Sequence, residues 1–180
     1  MKKTLSIQNL VFSGICLALC LVLAFITGQI PEIGNMLLPM HLPVLLCGFL
    51  CGGPWGAAVG FSAPLLRFLL FGMPPLFPIA INMSFELMAY GLVAGILYRL
   101  LPKKKIHIYT SLILAMLLGR VVWGMAAFVT FSIAGMQLTW SIFVAQAFLN
   151  AIPGILLHIL LIPVLVMVIQ RGVPNARLQN

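Results

Sequence analysis

The sequence predicts an all-α integral membrane protein of six transmembrane helices, with the N- and C-termini both cytoplasmic. Three observations predict it. Of 180 residues, 63% are hydrophobic and 7% are charged, whereas a soluble domain carries about 25% charged residues. The apolar runs are continuous rather than alternating, which favours helices over a lipid-facing barrel. The cations gather at intervals: Lys2 and Lys3, then Arg99 with Lys103, Lys104 and Lys105, then Arg171 and Arg177. Such clusters mark the cytoplasmic side of a membrane chain. The formal net charge of +8 thus reflects topology. A nucleic-acid interface would need a basic patch on a soluble face.

A membrane core of about 30 Å takes about 20 apolar residues per helix. The first predicted helix, about 7–29, follows two lysines, as in a signal peptide. No A-x-A-type cleavage site follows it, so it is expected to remain as a membrane helix. The next apolar run, 36–72, is too long for one helix and holds Gly52, Gly53 and Pro54 at its centre. Adjacent glycine and proline mark a turn. The run therefore reads as a hairpin of two helices, about 39–52 and 54–72. Three more helices follow at about 77–98, 106–133 and 140–170. Lys2 and Lys3 must share a side with Lys103, Lys104 and Lys105, which needs an even number of crossings between them. Counting the hairpin as two makes four, and the last two helices return the C-terminus to the cytoplasm. The chain reads as one membrane domain over 1–180. Its outer loops fall at about 31–40, 73–76 and 134–140.

Polar groups inside a membrane are costly, about 2.5–3.5 kcal/mol for a central charge, so they are the informative residues. At about 1.5 Å of rise per residue, Arg67, Glu86, Arg120 and Asn150 fall at a similar depth on four different predicted helices. Several residues line up at helical spacing: Asn82, Glu86 and Tyr90; Arg120, Trp123 and Gly124; Gln146, Asn150, Gly154 and His158. Residues three and four apart share a helix face. These faces would enclose a cavity open to the outside. The candidate ligand-binding residues are therefore Arg67, Asn82, Glu86, Arg120, Trp123 and Asn150, joined by His41 at the outer rim. Two arginines and one carboxylate lie in the membrane, leaving one positive charge over. A small anion would neutralise it, and an arginine fork suits a carboxylate, met by Arg67 or Arg120. The plainer reading makes these residues interhelical glue and His41 merely interfacial. Trp55 and Trp140 sit where interfacial aromatic belts belong.

Cys16, Cys20, Cys47 and Cys51 form two i,i+4 pairs in apolar runs and read as small hydrophobes. No His or carboxylate lies near them in sequence, so no metal and no cofactor is expected. The chain has no G-x-x-x-x-G-K-[ST], no HExxH and no GxSxG. It has no Asp, and Glu32 and Glu86 are its two carboxylates. Acid–base catalysis has little to work with, so a non-enzyme is expected, with a binding cavity but no energy source of its own. In the first predicted helix, Gly14 and Ala18 form a small-xxx-small pair that lets another helix approach closely.

The stretches "LPMHLPVLLCGFLCGGPWGAAVGF", "RLLPKKK" and "NAIPGILLHILLIPVL" carry a resemblance to a known family. The chain resembles the substrate-binding S components of energy-coupling factor (ECF) transporters, six-helix vitamin receptors of bacterial membranes. The resemblance spans nearly the whole chain. It implies a multi-pass protein of the bacterial plasma membrane that captures a vitamin or cofactor precursor outside. Its partners would be a transmembrane coupling subunit and two ATPase subunits. The family carries an A-x-x-x-A-like motif on its first helix against the coupling subunit. Gly14 and Ala18 would occupy those positions here, with glycine a departure at the first. The spare positive charge leans toward an anionic vitamin such as pantothenate, over neutral pyridoxine or cationic thiamine. The alternative is a small ion-coupled secondary transporter acting alone, with Glu86 as its ion site. A structural membrane protein without a ligand is a further possibility.

Overall fold

In lipid, a chain must satisfy its backbone hydrogen bonds within itself, and helices do this segment by segment. The computed structural model describes residues 7–28, 37–102, 104–136, 139–147 and 151–172. Among them there is no strand, and the α-helices are α1 (Ile7–Gly28), α2 (His41–Cys51), α3 (Gly53–Phe71), α4 (Ile81–Leu100), α5 (Lys105–Ile133), α6 (Trp140–Ala147) and α7 (Ile152–Gly172). A short kinked turn, Leu76–Ala80, in which Phe77 is extended at φ −115° and ψ 132°, leads into α4. Five of the described helices are long and apolar enough to cross a membrane: α1, α3, α4 with its leading turn, α5 and α7. The α2 helix is apolar but only 11 residues long. The stretch 140–170 holds both α6 and α7, with 148–150 between them outside the described residues.

The break between α2 and α3 falls on Gly52, at φ 99° and ψ 166°. That backbone state is readily open to glycine alone. The Gly52 N–H donates to Gly48 O at 3.1 Å and closes α2, and Gly52 O accepts from Gly56 N–H at 3.0 Å and opens α3. Pro54 sits in the first turn of α3, where its missing N–H costs nothing. The hairpin is then pressed onto α4. Every residue of α2 but Leu42 is buried.

Glycine sets how closely the hairpin approaches α4. A Cβ on Gly48 would stand 2.6 Å from Gly91 O, and one on Gly56 would stand 2.8 Å from the same oxygen. A Cβ on Gly91 or Gly95 would overlap the backbone of Gly56 or Gly53. Small residues at such a seam let helix backbones meet, which is how helices associate where lipid removes the hydrophobic drive. Around this trunk, α4 also packs on α5, α1 packs on α2 and α3, and α7 packs on α2 and α5.

The α1–α2 seam is lined by Cys16, Cys20, Cys47 and Cys51, all free and buried. The Cys47 thiol lies beside those of Cys16 and Cys51, and Cys20 Sγ donates to Met40 O at 3.5 Å. Outward faces are apolar: Leu10, Ile15, Leu70, Val121, Phe128 and Leu160 are all exposed. A soluble protein rarely shows so much contiguous apolar surface. A membrane protein presents it to lipid.

Candidate functional site

The polar stripe of α4 supplies the centre. Asn82, Glu86 and Tyr90 recur one turn apart and are all buried. Glu86 is 2% exposed, and its Oε1 gathers three neighbours. Arg120 Nη1, from α5, lies 2.7 Å away. The Tyr90 hydroxyl donates to it at 3.1 Å. His41 Nε2, from the first turn of α2, stands 3.5 Å away. A carboxylate buried this deeply is tolerable because a cation meets it. Arg120 is 6% exposed, so both ends of the pair are withdrawn from solvent and lipid.

Local sequence explains how the groups reach one another. The Tyr90 ring lies against α5 at Gly119, where a Cβ would stand 2.5 Å from the ring. Any larger residue there would push Tyr90 off and open the contact between α4 and α5 beside Arg120. His41 tilts over Tyr90 with ring centroids 5.1 Å apart. On its other side it stacks on His158 of α7 at 6.1 Å. Four helices, α2, α4, α5 and α7, thus meet at one polar knot.

An aromatic wall adjoins the knot. Trp123 lies three residues beyond Arg120, and so on the same face of α5. It is buried, and it stacks on Phe143 of α6 with centroids 5.9 Å apart. Phe143 stacks in turn on Trp140 at 5.4 Å. Gly124 makes room, since a Cβ there would stand 2.7 Å from the Phe143 ring. One turn before Glu86, Asn82 Oδ1 accepts from the Thr130 hydroxyl at 2.9 Å, a second link between α4 and α5.

The expected site residues are therefore distributed as follows. His41, Glu86 and Arg120 come together. Trp123 sits beside them, and Asn82 is held by Thr130. His41 is not at an open rim, because the short α2 is tucked into the bundle and carries His41 to 3% exposure. Arg67 is half-buried on α3 and points Nη1 at Met40 Sδ, 3.8 Å away. A thioether is a weak acceptor, and among the described residues no carboxylate pairs with Arg67. Asn150 lies outside the described residues. Gly14 and Ala18 lie on the exposed side of α1, where a Cβ on Gly14 would meet nothing within 4 Å. Among the candidate site residues, sequence reasoning omitted Tyr90, Thr130, Phe143 and His158. Tyr90 and His158 carried a signal in their helical spacing. Phe143 carried none within its apolar run, and Thr130 also bonds back to its own helix at Ala126 O.

Chemically, this arrangement offers donors, one fixed carboxylate and an aromatic surface. Among the described residues no three metal-binding side chains cluster. Comparison with curated proteins and with solved structures gives no match. The family model of the ECF transporter substrate-specific component does match, over residues 8–166. That match takes in α2, α4 and α5 whole and most of α7, the four helices of the polar knot. The chain belongs to the substrate-specific components of ECF transporters.

Proposed function

We propose that the chain is a high-affinity membrane receptor for a small vitamin or cofactor precursor, delivering it for ATP-driven uptake. The observation that carries this reading is the knot of His41, Glu86, Tyr90 and Arg120, buried where four helices of a membrane chain meet. A buried ion pair contributes little net stability, so its presence inside a membrane calls for a use. Arg67, Asn82, Glu86, Arg120, Trp123, Asn150 and His41 are the residues assigned to the ligand.

In this reading the short α2 and α3 form a hairpin of two crossings. Six crossings then leave both termini in the cytoplasm of a bacterial cell. Ligand would enter from outside. The exposed Gly14 and Ala18 would let α1 dock closely on a transmembrane coupling subunit that carries two ATPases. Hydrolysis by those partners supplies the energy that this chain has no means to provide. The excess of membrane arginines over carboxylates leans toward an anionic ligand such as pantothenate.

The test is mass spectrometry of small molecules that co-purify with the detergent-extracted protein, joined to uptake in proteoliposomes. A vitamin-like compound recovered from the protein, and transported when the coupling subunit and ATPases are present, is the expected result. Uptake by this chain alone, driven by an ion gradient, would refute it.

A further inference from the structure

The way Glu86 holds Arg120 restricts what the site can read. We infer that Arg120 receives a ligand carboxylate along the edge formed by Nε and Nη2, and that the ligand is a monocarboxylate with a planar or apolar body. This rests on the receptor reading above and narrows it.

A guanidinium has distinct donor edges. Glu86 takes Nη1. The Nε–H and the neighbouring Nη2–H point the same way and are spaced to meet the two oxygens of one carboxylate. Both nitrogens are buried and have no partner among the described residues. A buried donor without an acceptor is costly, and costlier when charged. The open edge is also held in place, since Glu86 fixes the far side of the same group. Glu86 is thus a positioning residue, and Arg120 is the residue that reads the ligand. His41 Nδ1 is likewise buried without a partner among the described residues. It offers another polar contact next to the fork.

Charge selects a monoanion. Glu86 and Arg120 cancel, and the remaining membrane charge among the described residues is Arg67, which has only Met40 Sδ beside it. Arg67 does not join the knot, so a ligand carboxylate at the fork adds one negative charge beside the neutral Glu86–Arg120 pair. A phosphate dianion would add two, which is more unfavourable in a low-dielectric site. Trp123, one turn along α5 from the fork, gives the body of the ligand an apolar surface.

The experiment uses the full chain in detergent. Any co-purified compound is identified first. Binding is then titrated by tryptophan fluorescence with matched acids and neutral counterparts: nicotinate and nicotinamide, biotin and biotinamide, lipoate and lipoamide, pantothenate and panthenol. The expected result is one acid, recovered or bound, whose neutral counterpart binds about 100-fold more weakly. Arg120→Lys should lose a similar factor for the acid, because a point charge cannot replace the fork. If that variant does not fold, the acid-to-neutral ratio in the unaltered chain decides alone. Equal affinity for acid and neutral counterpart would overturn the inference. That is also what would be seen if a carboxylate of the chain itself, such as Glu32, filled the fork. A neutral or cationic vitamin as the recovered ligand would overturn the carboxylate assignment and leave the receptor reading standing. No recovered compound and no binding of any probe would overturn both.

Discussion

Replacing Glu86 with leucine should destabilise the protein far more than replacing Glu86 and Arg120 together. The contact between the two charges is 2.7 Å. At that separation, and with an effective dielectric of about 20, the attraction is about 6 kcal/mol. Desolvating each ion costs several kcal/mol, so the pair as a whole is close to break-even. The imbalance appears when one partner is removed. Glu86→Leu leaves the Arg120 guanidinium buried without its counter-charge, at a cost of about 3–5 kcal/mol. The Tyr90 hydroxyl loses its acceptor, and the His41 ring loses the carboxylate that stands 3.5 Å from its Nε2. For a chain of this length, each kcal/mol shifts Tm by about 2–4 °C, so Glu86→Leu should lower it by about 6–20 °C.

Arg120→Met should behave similarly, because it strands the carboxylate. The double variant Glu86→Leu with Arg120→Met replaces the pair by apolar groups of similar size and should recover most of the loss. The assay is thermal unfolding of the detergent-solubilised chain, followed by tryptophan fluorescence, for the four members of the cycle. Losses that simply add in the double variant would refute a coupled buried pair.

Three further outcomes follow from the packing and the site. Gly91→Ala should lower Tm, since a Cβ there overlaps the Gly56 backbone and overpacking costs about 1–3 kcal/mol; Gly14→Ala, where a Cβ meets nothing, should leave Tm unchanged or raise it. Gly14→Leu with Ala18→Leu should retain ligand binding in detergent yet lose ATP-driven uptake when reconstituted with the coupling module; undiminished uptake would count against α1 as the docking helix. Thr130→Val should destabilise by about 1–3 kcal/mol by stranding the buried Asn82 oxygen, and an unchanged unfolding midpoint would show that this link between α4 and α5 is dispensable.

Some of this architecture can be read from the chain and some cannot, for identifiable reasons. The break at Gly52 is legible because glycine and proline restrict the backbone locally. That Glu86 meets an arginine is legible because depth follows from rise per residue, and opposite charges at one depth in lipid attract strongly; which of the two arginines it meets is not, and the fold makes it Arg120. Depth says nothing of azimuth. That is why Arg67, counted to the same level, lies against Met40 instead of joining the knot. Counting residues from the loop likewise puts His41 at a rim, whereas the short α2 is enclosed by its neighbours. Phe143 is hidden for another reason: nothing in an apolar run distinguishes the one ring that stacks on Trp123. The glycines are readable as residues but not as contacts. Gly48, Gly56 and Gly91 lie on three helices, and only the fold shows that they touch.

These two kinds of feature answer different demands of a receptor. A fork that is to read a carboxylate must not swing, and a single Oε1 that holds Arg120 while accepting from Tyr90 fixes its orientation. That oxygen is itself carried by α4, whose opposite side is locked to the α2–α3 hairpin through Gly48, Gly53, Gly56, Gly91 and Gly95. Substituting any of them would displace α4 and, with it, the hub of the site. The aromatic wall lies on the other side, on α5 and α6, away from the glycine seam. The charged half of the site thus stands on the closest-packed part of the molecule. Affinity gained from a fork depends on its being in place before the ligand arrives. Loosening the seam at Gly91 should therefore weaken binding of an acid more than binding of its neutral counterpart, even in molecules that remain folded.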